Sequence, residues 1–249
     1  MRPRVAIITG ASSGIGRASA VRLSSEGWIV VLSARREKEL AETATLCPGE
    51  TLSILGDISK EEDIITLFER TMVRYGRLDL LFNNAGLSGE SEPLDSLTLA
   101  NFMNVMNVNV TASVLCAREA FKIFKKQSPP GGRIINNGSL SATTPRPEAA
   151  AYTISKHAIS GLTKSIALDG RPFNITATQI DVGNAATAMF SAHDDVKGTL
   201  QADGSLKQEP SMEVSHVANA VAHIASLPNE VTLLEMTIMA TGMPFVGRG

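Results

Sequence analysis

Arg4-Val5-Ala6-Ile7-Ile8-Thr9-Gly10-Ala11-Ser12-Ser13-Gly14-Ile15-Gly16-Arg17 is the stretch on which the reading of the fold turns. An apolar run of strand length, Arg4–Thr9, meets a turn containing three glycines, and a helix-like segment begins inside that turn. Glycine at a strand-to-helix turn permits backbone angles that other residues avoid, and it lets a pyrophosphate approach the chain. A helix starting near Gly14 points free N–H groups and its positive dipole end at that anion. The spacing is G-x-x-x-G-x-G, not the commoner G-x-G-x-x-G. The plain alternative is a tight turn with no ligand. Position after a first strand and before a helix favours a dinucleotide.

The rest of the chain repeats this unit. Arg4–Thr9, Trp28–Ser33, Thr51–Leu55, Leu78–Phe82, Arg133–Asn137, Asn174–Ile180 and Leu233–Met239 read as strands. They are rich in Ile, Val and Leu with little alternation, which suits strands covered on both faces. Helix-like segments lie between them near 14–26, 36–46, 60–75, 98–126, 152–168 and 213–226. Ser59 and Glu62 have the spacing of a capping box opening the 60–75 helix. The βαβα rhythm predicts an α/β fold: a doubly wound parallel sheet with helices on both faces, a single-domain Rossmann arrangement over 1–249. Ligands in such a sheet sit beyond the carboxyl ends of the strands. Ser128-Pro129-Pro130-Gly131-Gly132 is a loop inside this unit, because the following strand belongs to the same sheet. Residues 184–210 break the rhythm, being long and polar, and are expected to form a substrate flap.

The end of the second strand separates two cofactors. An Asp or Glu there bonds the ribose 2′-hydroxyl of NAD. Here Ala34 occupies that place, followed by Arg35 and Arg36. A carboxylate would repel a 2′-phosphate, whereas Arg offers it a charge-assisted fork. NADP(H) is therefore expected over NAD(H), with Arg35 at the phosphate. The alternative is that Arg35 and Arg36 start a solvated helix beside Glu37 and Glu39. Asp57 and Ile58, after the third strand, are candidates for the adenine pocket, and Asp57 equally suits the start of a helix.

Tyr152-Thr153-Ile154-Ser155-Lys156 carries the chemistry. Residues four apart share a helix face, so phenol and ammonium stand together. A free phenol keeps its proton to about pH 10, and a nearby lysine cation favours the phenolate. A phenol so tuned hands a proton to a carbonyl oxygen as hydride arrives and removes it in reverse. Ser139, at the end of the fifth strand, is placed to hold the substrate oxygen. Asn109 lies inside the 98–126 helix, where Asn is a mediocre residue, and a water bridging its buried amide to Lys156 is one way to satisfy it. Taken singly, Tyr-x-x-x-Lys reads as a surface pair. Co-occurrence at sheet ends makes it a site.

With these residues in place, the sequence resembles the short-chain dehydrogenase/reductase family from residue 4 to about 240. Among its members it is similar to the NADP-dependent carbonyl and 3-oxoacyl reductases. Thr9–Gly16 matches the family's cofactor turn, which implies cofactor contacts at Gly10, Ser12, Ser13, Gly14, Ile15 and Gly16. Asn83-Asn84-Ala85-Gly86 matches the segment bordering the cofactor, which adds Asn84, Ala85 and Gly86. Asn109, Ser139, Tyr152 and Lys156 fall on its catalytic tetrad; Tyr152 and Lys156 there are also cofactor contacts, Lys156 bonding the nicotinamide ribose. Gly183, Ala185 and Thr187 follow as contacts to the carboxamide. The resemblance further implies a homodimer or homotetramer, with the 98–126 and 152–168 helices against a neighbour. Departures are Val182 in place of proline before Gly183, a polar Gln179-Ile180-Asp181, and Gly138 where many relatives carry serine. The Met243–Gly249 tail is atypical too, reaching a neighbouring subunit or closing the pocket.

Composition excludes other classes. Hydrophobic residues make up 43% and formal net charge is −2, so nothing points to nucleic acid or an anionic membrane. Cys47 and Cys116 are too few for a disulfide scaffold or a zinc site and read as buried thiols. His157, His193, His216 and His223 lack ligand spacing, so no metal is expected. The apolar runs are of strand length, with no signal segment or span, and a cytoplasmic protein is expected. Two rivals use a similar fold: a dinucleotide-binding sensor or scaffold without turnover, and a methyltransferase. The tetrad argues against the first. Ala34 and Tyr152-x-x-x-Lys156 argue against the second. The substrate is a small carbonyl or alcohol. Arg146 either meets an anion on it or is a surface charge.

Overall fold

The computed structural model describes residues 2–191 and 198–246. Its first half runs β1 (Val5–Thr9), α1 (Gly14–Ser25), β2 (Ile29–Ala34), α2 (Glu37–Leu46), β3 (Thr51–Leu55), α3 (Glu61–Tyr75) and β4 (Leu80–Asn83). The second half runs α4 (Leu99–Met106), α5 (Ala112–Lys126), β5 (Gly132–Asn137), α6 (Ala150–Gly170), β6 (Ile175–Val182), α7 (Ala188–Ser191), β7 (Thr199–Leu200), β8 (Leu206–Lys207), α8 (Val214–Ser226) and β9 (Glu235–Ile238). Seven strands form one sheet in the order β3-β2-β1-β4-β5-β6-β9. Every pairing in it is parallel. β1 has β2 on one side and β4 on the other, so the winding reverses between them and opens a crevice at their carboxyl ends.

Alternation along β1 divides its side chains between two cores. Ala6 and Ile8 pack with Leu23 of α1 and Val217 and Val221 of α8. Val5 and Ile7 pack with Leu67 of α3, Phe124 of α5 and Ile166 of α6. Each such fully buried aliphatic or aromatic side chain contributes roughly 1.5–3 kcal/mol. Cys47 and Cys116 are free, buried thiols. Burial, with Glu119 nearby, pushes the Cys116 thiol up to about 12, so it stays protonated and inert.

Three local expectations are corrected. The 98–126 segment is one helical run, but a π-helical turn, Asn107–Thr111, separates α4 from α5. Such bulges are frequent at functional sites. Ser59 does not cap α3. Lys60 is the residue before that helix, without a side-chain cap, and the Ser59 hydroxyl instead donates to Asp57 Oδ1 at 2.8 Å. Leu99–Lys126 is also long and apolar enough by composition to cross a membrane, which corrects the expectation of strand-length apolar runs alone. In the fold it is a core helix, with Val105, Ala112, Cys116, Ala120 and Phe124 buried.

In the 184–210 segment, α7 is followed by the antiparallel β7–β8 pair. Residues 192–197, including His193, lie outside the described residues, as do 247–249. The tail closes over its own chain: Met243 is buried against Leu140 and Ala240. Val182 extends β6 and pairs with Ile238 of β9; a proline there would lack the backbone donor.

Candidate active site

At the end of β1 the chain turns through Gly10 with φ 66°, a left-handed angle that favours glycine. A Cβ on Gly10 would stand 2.9 Å from Ala85 Cα. One on Gly16 would meet Gly10 O at 2.3 Å and Asn84 Nδ2 at 2.5 Å. The turn is therefore pressed against the loop after β4. Thr9 Oγ1 accepts the Asn84 and Ala85 N–H groups at 3.0 and 3.1 Å, and Asn84 Nδ2 donates to Thr9 O at 2.9 Å. α1 begins beyond Ser13, whose side chain does not cap it, and has no acidic residue in its first turn. Uncapped N–H groups and no negative charge leave that end suited to an anion. Close backbone and open donors fit a dinucleotide pyrophosphate.

The arginines after β2 part company. Arg36 Nη2 donates to Ser12 Oγ at 3.0 Å and Ser13 Oγ at 2.8 Å, so it lies across the glycine turn. Arg35 is 70% exposed and reaches Asp57 at 3.8 Å. Asp57 takes the Ser59 N–H and hydroxyl on Oδ1, closing a turn that precedes α3 without capping it. Burial pushes its carboxyl up, but the Ser59 bonds and Arg35 outweigh this and hold it below its usual range. Asp57 and Ile58 also border the cavity.

That cavity, about 530 Å³, runs from the glycine turn to the end of β5. All the expected site residues line it except Gly16 and Asn109. Gly16 packs beneath the turn. Asn109 is buried in the π-turn, where its Oδ1 accepts Leu87 N–H at 2.9 Å. Its Nδ2 donates to Leu87 O at 2.9 Å and Ser155 Oγ at 3.0 Å. The amide is thus satisfied by the chain itself, and the water bridge from it to Lys156 is not required. Ser155 in turn donates to Tyr152 O at 2.7 Å. Asn109 therefore ties the loop after β4 to the helical turn that bears the phenol.

Tyr152 and Lys156 stand on one face of α6, with Lys156 Nζ 5.4 Å from the phenol ring centre. Lys156 is buried, and Nζ donates to Asn137 O at 2.7 Å. Asn137, at the end of β5, donates through Nδ2 to Asn84 Oδ1 at 3.1 Å. A chain of polar contacts thus connects Lys156 to Asn84 and the glycine turn. Ser139 follows with extended backbone, its N–H given to Asp181 Oδ1 at 2.8 Å and its Oγ accepting Ser141 N–H at 3.1 Å. Asn137 is a site residue that sequence reasoning misses, although two adjacent asparagines ending a buried strand are its signal.

Arg146 is not a loose surface charge. It forms a two-pronged pair with Glu209, Nη1–Oε1 3.1 Å and Nη2–Oε2 2.6 Å, and donates to Asn184 Oδ1 at 3.1 Å. Asn184 and Gln201 also donate to Glu209, at 2.8 and 3.0 Å. This latch binds the loop after Ser139 to the 184–210 segment. Met243 and Phe245 complete that wall of the cavity. Among the described residues, no cluster of three or more His, Cys, Asp or Glu side chains is placed to hold a metal.

Comparison with known proteins agrees with this geometry. Residues 4–197 match the family model for short chain dehydrogenase. The 3beta-hydroxysteroid dehydrogenase of Mediterraneibacter gnavus is 36% identical over 180 residues, covering 71% of this chain and 64% of that protein. Dehydrogenase/reductase SDR family member 11 of Homo sapiens is 32% identical over 250 residues, covering 96% of this chain and 95% of that one. The crystal structure of 3-ketoacyl-(acyl-carrier-protein) reductase from Brucella melitensis complexed with NADH matches with a TM-score of 0.84 at 26% identity, covering 95% of this chain and 96% of that one. The chain belongs to the short-chain dehydrogenase/reductase family, oxidoreductases that use a nicotinamide dinucleotide on hydroxyl or carbonyl groups of small molecules.

Proposed function

We propose that this protein is an NADP(H)-dependent carbonyl reductase and alcohol dehydrogenase in which Tyr152 moves the proton. The observation that carries the reading is the buried Lys156 ammonium held beside the Tyr152 ring at the wall of the cavity that the glycine turn also borders. The nicotinamide, when bound, supplies or accepts the hydride. Tyr152 donates its phenolic proton to the carbonyl oxygen of the substrate and takes it back in the oxidative direction. Lys156 sets its charge beside the phenol ring, and Asn137 O fixes where that charge sits. The Ser139 hydroxyl holds the substrate oxygen. Asn109 is a positioning residue, because it touches Leu87 and Ser155 rather than the cavity.

The cofactor residues are Gly10, Ser12, Ser13, Gly14, Ile15 and Gly16 at the turn, with Asn84, Ala85 and Gly86 beside it. Asp57 and Ile58 border the adenine end; Gly183, Ala185 and Thr187 border the carboxamide end. The NADP(H) preference rests on Ala34, which offers no carboxylate, and on two arginines. Arg36, already on the Ser12 and Ser13 hydroxyls, joins Arg35 as a holder of the 2′-phosphate. The chain works as one domain, with 184–210 as its flap. Exposed Leu99, Met103, Val114, Ile154 and Leu168 on α4, α5 and α6 favour a homo-oligomer.

A panel of neutral ketones and their alcohols, run with NADPH and NADH side by side, tests the reading. Reduction with NADPH favoured is expected. NADPH binding without turnover of any compound would move the protein to the sensor class.

A further inference from the structure

Two departures from the family pattern, Gly138 and Asp181, meet at one point in the structure. The β5–β6 register pairs Asn136 with Gln179 and Asn137 with Ile180. The next positions along are therefore 138 and 181, which face each other on the α6 side of the sheet. A Cβ on Gly138 would lie 2.0 Å from Asp181 Oδ1 and 2.9 Å from Gln179 Cγ. The carboxylate thus occupies the space that any larger residue at 138 would fill. It is not free to swing away, because Oδ1 accepts the Ser139 N–H at 2.8 Å and Gln179 Nε2 at 2.7 Å. Gln179 Nε2 also donates to Ser160 Oγ on α6 at 3.0 Å.

We infer that Gly138 and Asp181 form one interdependent unit in which Asp181 is the positioning residue for Ser139, fixing the backbone that aims its hydroxyl. β5 makes its last ladder bond at Gly138 N–H to Ile180 O, 2.8 Å. Past that bond the chain leaves the sheet, and the Asp181 acceptor determines where Ser139 stops. Asp side chains are short, so an acceptor on the neighbouring strand makes a tight anchor. Asp181 is largely buried, and its charge faces Lys156 on α6 and Glu235 on β9. The kinetic consequence rests on the reading of Ser139 as the holder of the substrate oxygen; the anchoring itself does not.

Four variants separate the contributions. D181N keeps an oxygen acceptor and removes the charge. D181A removes both. G138A inserts the Cβ that displaces the carboxylate, and G138A/D181A vacates the space for it. Misplacement of a substrate-holding group by about 1 Å costs on the order of 100-fold in rate. D181A and G138A are therefore expected to lower kcat about 10- to 100-fold, with NADPH affinity unchanged. D181N should stay within about 3-fold of the parent, and the double variant should be no slower than D181A, since coupled neighbours are not additive. Hydrogen exchange at the Ser139 amide reads the anchor without any substrate: at least about 10-fold faster exchange is expected in D181A and G138A, and none in D181N. NADPH fluorescence certifies folding, and D181S, whose hydroxyl stops one bond short of Oδ1, replaces D181A if that variant does not fold. Losses in the double variant that equal the product of the singles, D181N as slow as D181A, or an unchanged Ser139 amide in D181A would each overturn the inference. Slow exchange lost as expected but no turnover in the parent enzyme would instead refute the assigned activity alone.

Discussion

Replacing Glu209 with alanine removes the centre of the latch between the loop after Ser139 and the 184–210 segment. The Glu209 side chain is 1% exposed and that of Arg146 is 22% exposed. The alanine variant loses both prongs of the ion pair and leaves the guanidinium its bond to Asn184 Oδ1. Breaking a buried pair from one side costs about 3–5 kcal/mol. Arg146 regains some water because it is partly exposed, so a loss of about 3 kcal/mol is expected. For a chain of this size that lowers Tm by about 6–12 °C. Thermal unfolding followed by circular dichroism measures it. E209A/R146M should be less destabilised than E209A, since the cation that lost its carboxylate is removed as well. The pH dependence has a definite sign. Burial pushes the Glu209 carboxyl up, but the bonds from Arg146, Asn184 and Gln201 outweigh this and hold it below its usual range. A depressed folded value means that the stabilisation is present above the unfolded value and is lost as pH falls through the folded one. The gap in Tm between parent and E209A should therefore close as pH drops below roughly 4. A shift under about 2 °C at neutral pH, or a gap that widens in acid, would refute the latch.

Two further perturbations address the cofactor. Arg35→Ala and Arg36→Ala should each weaken NADPH more than NADH, and Arg36→Ala should also loosen the turn by releasing Ser12 and Ser13; fluorescence titration with both cofactors decides, and equal losses for both would contradict the 2′-phosphate role. Gly16→Ala drives a Cβ to 2.3 Å from Gly10 O, so the turn must shift; NADPH and NADH binding should both fall at least about 10-fold, and unchanged binding would mean that the turn is not the cradle.

What the sequence discloses follows from the range of the forces involved. The turn at Gly10 and Gly16 is legible because backbone sterics are local. Tyr152 and Lys156 are legible because helix periodicity puts residues four apart on one face. The inner strands β1, β2 and β4 show as apolar runs because both sheet faces are covered there, whereas the edge strands β3 and β9 are partly exposed, against the expectation for every strand. Other features depend on which of several partners, near or far in the chain, a side chain takes. The Ser59 capping box has the right local pattern, yet Asp57 captures the hydroxyl. Nothing in Val108-Asn109-Val110 marks a π-turn, since these mediocre helix formers do not distinguish a π-turn from an α-helical one. The order of Arg35 and Arg36 carries no sign of which one crosses the turn; that depends on how α2 leaves β2. Glu209 lies in a polar stretch without motif, and its partner Arg146 is 63 residues away. Gly138 and Asp181 each look like an isolated departure until the parallel register of β5 and β6 sets them side by side.

In the proposed mechanism Tyr152 moves the proton while the cofactor binds independently of its hydroxyl. Tyr152→Phe keeps the ring and the helix face and removes only the hydroxyl. The direct measurement is kcat for ketone reduction by this variant together with its NADPH dissociation constant. At least about 1,000-fold loss of kcat is expected, within the range known for positioned acid–base groups, with NADPH affinity unchanged within about 3-fold. Turnover within about 10-fold of the parent would contradict it.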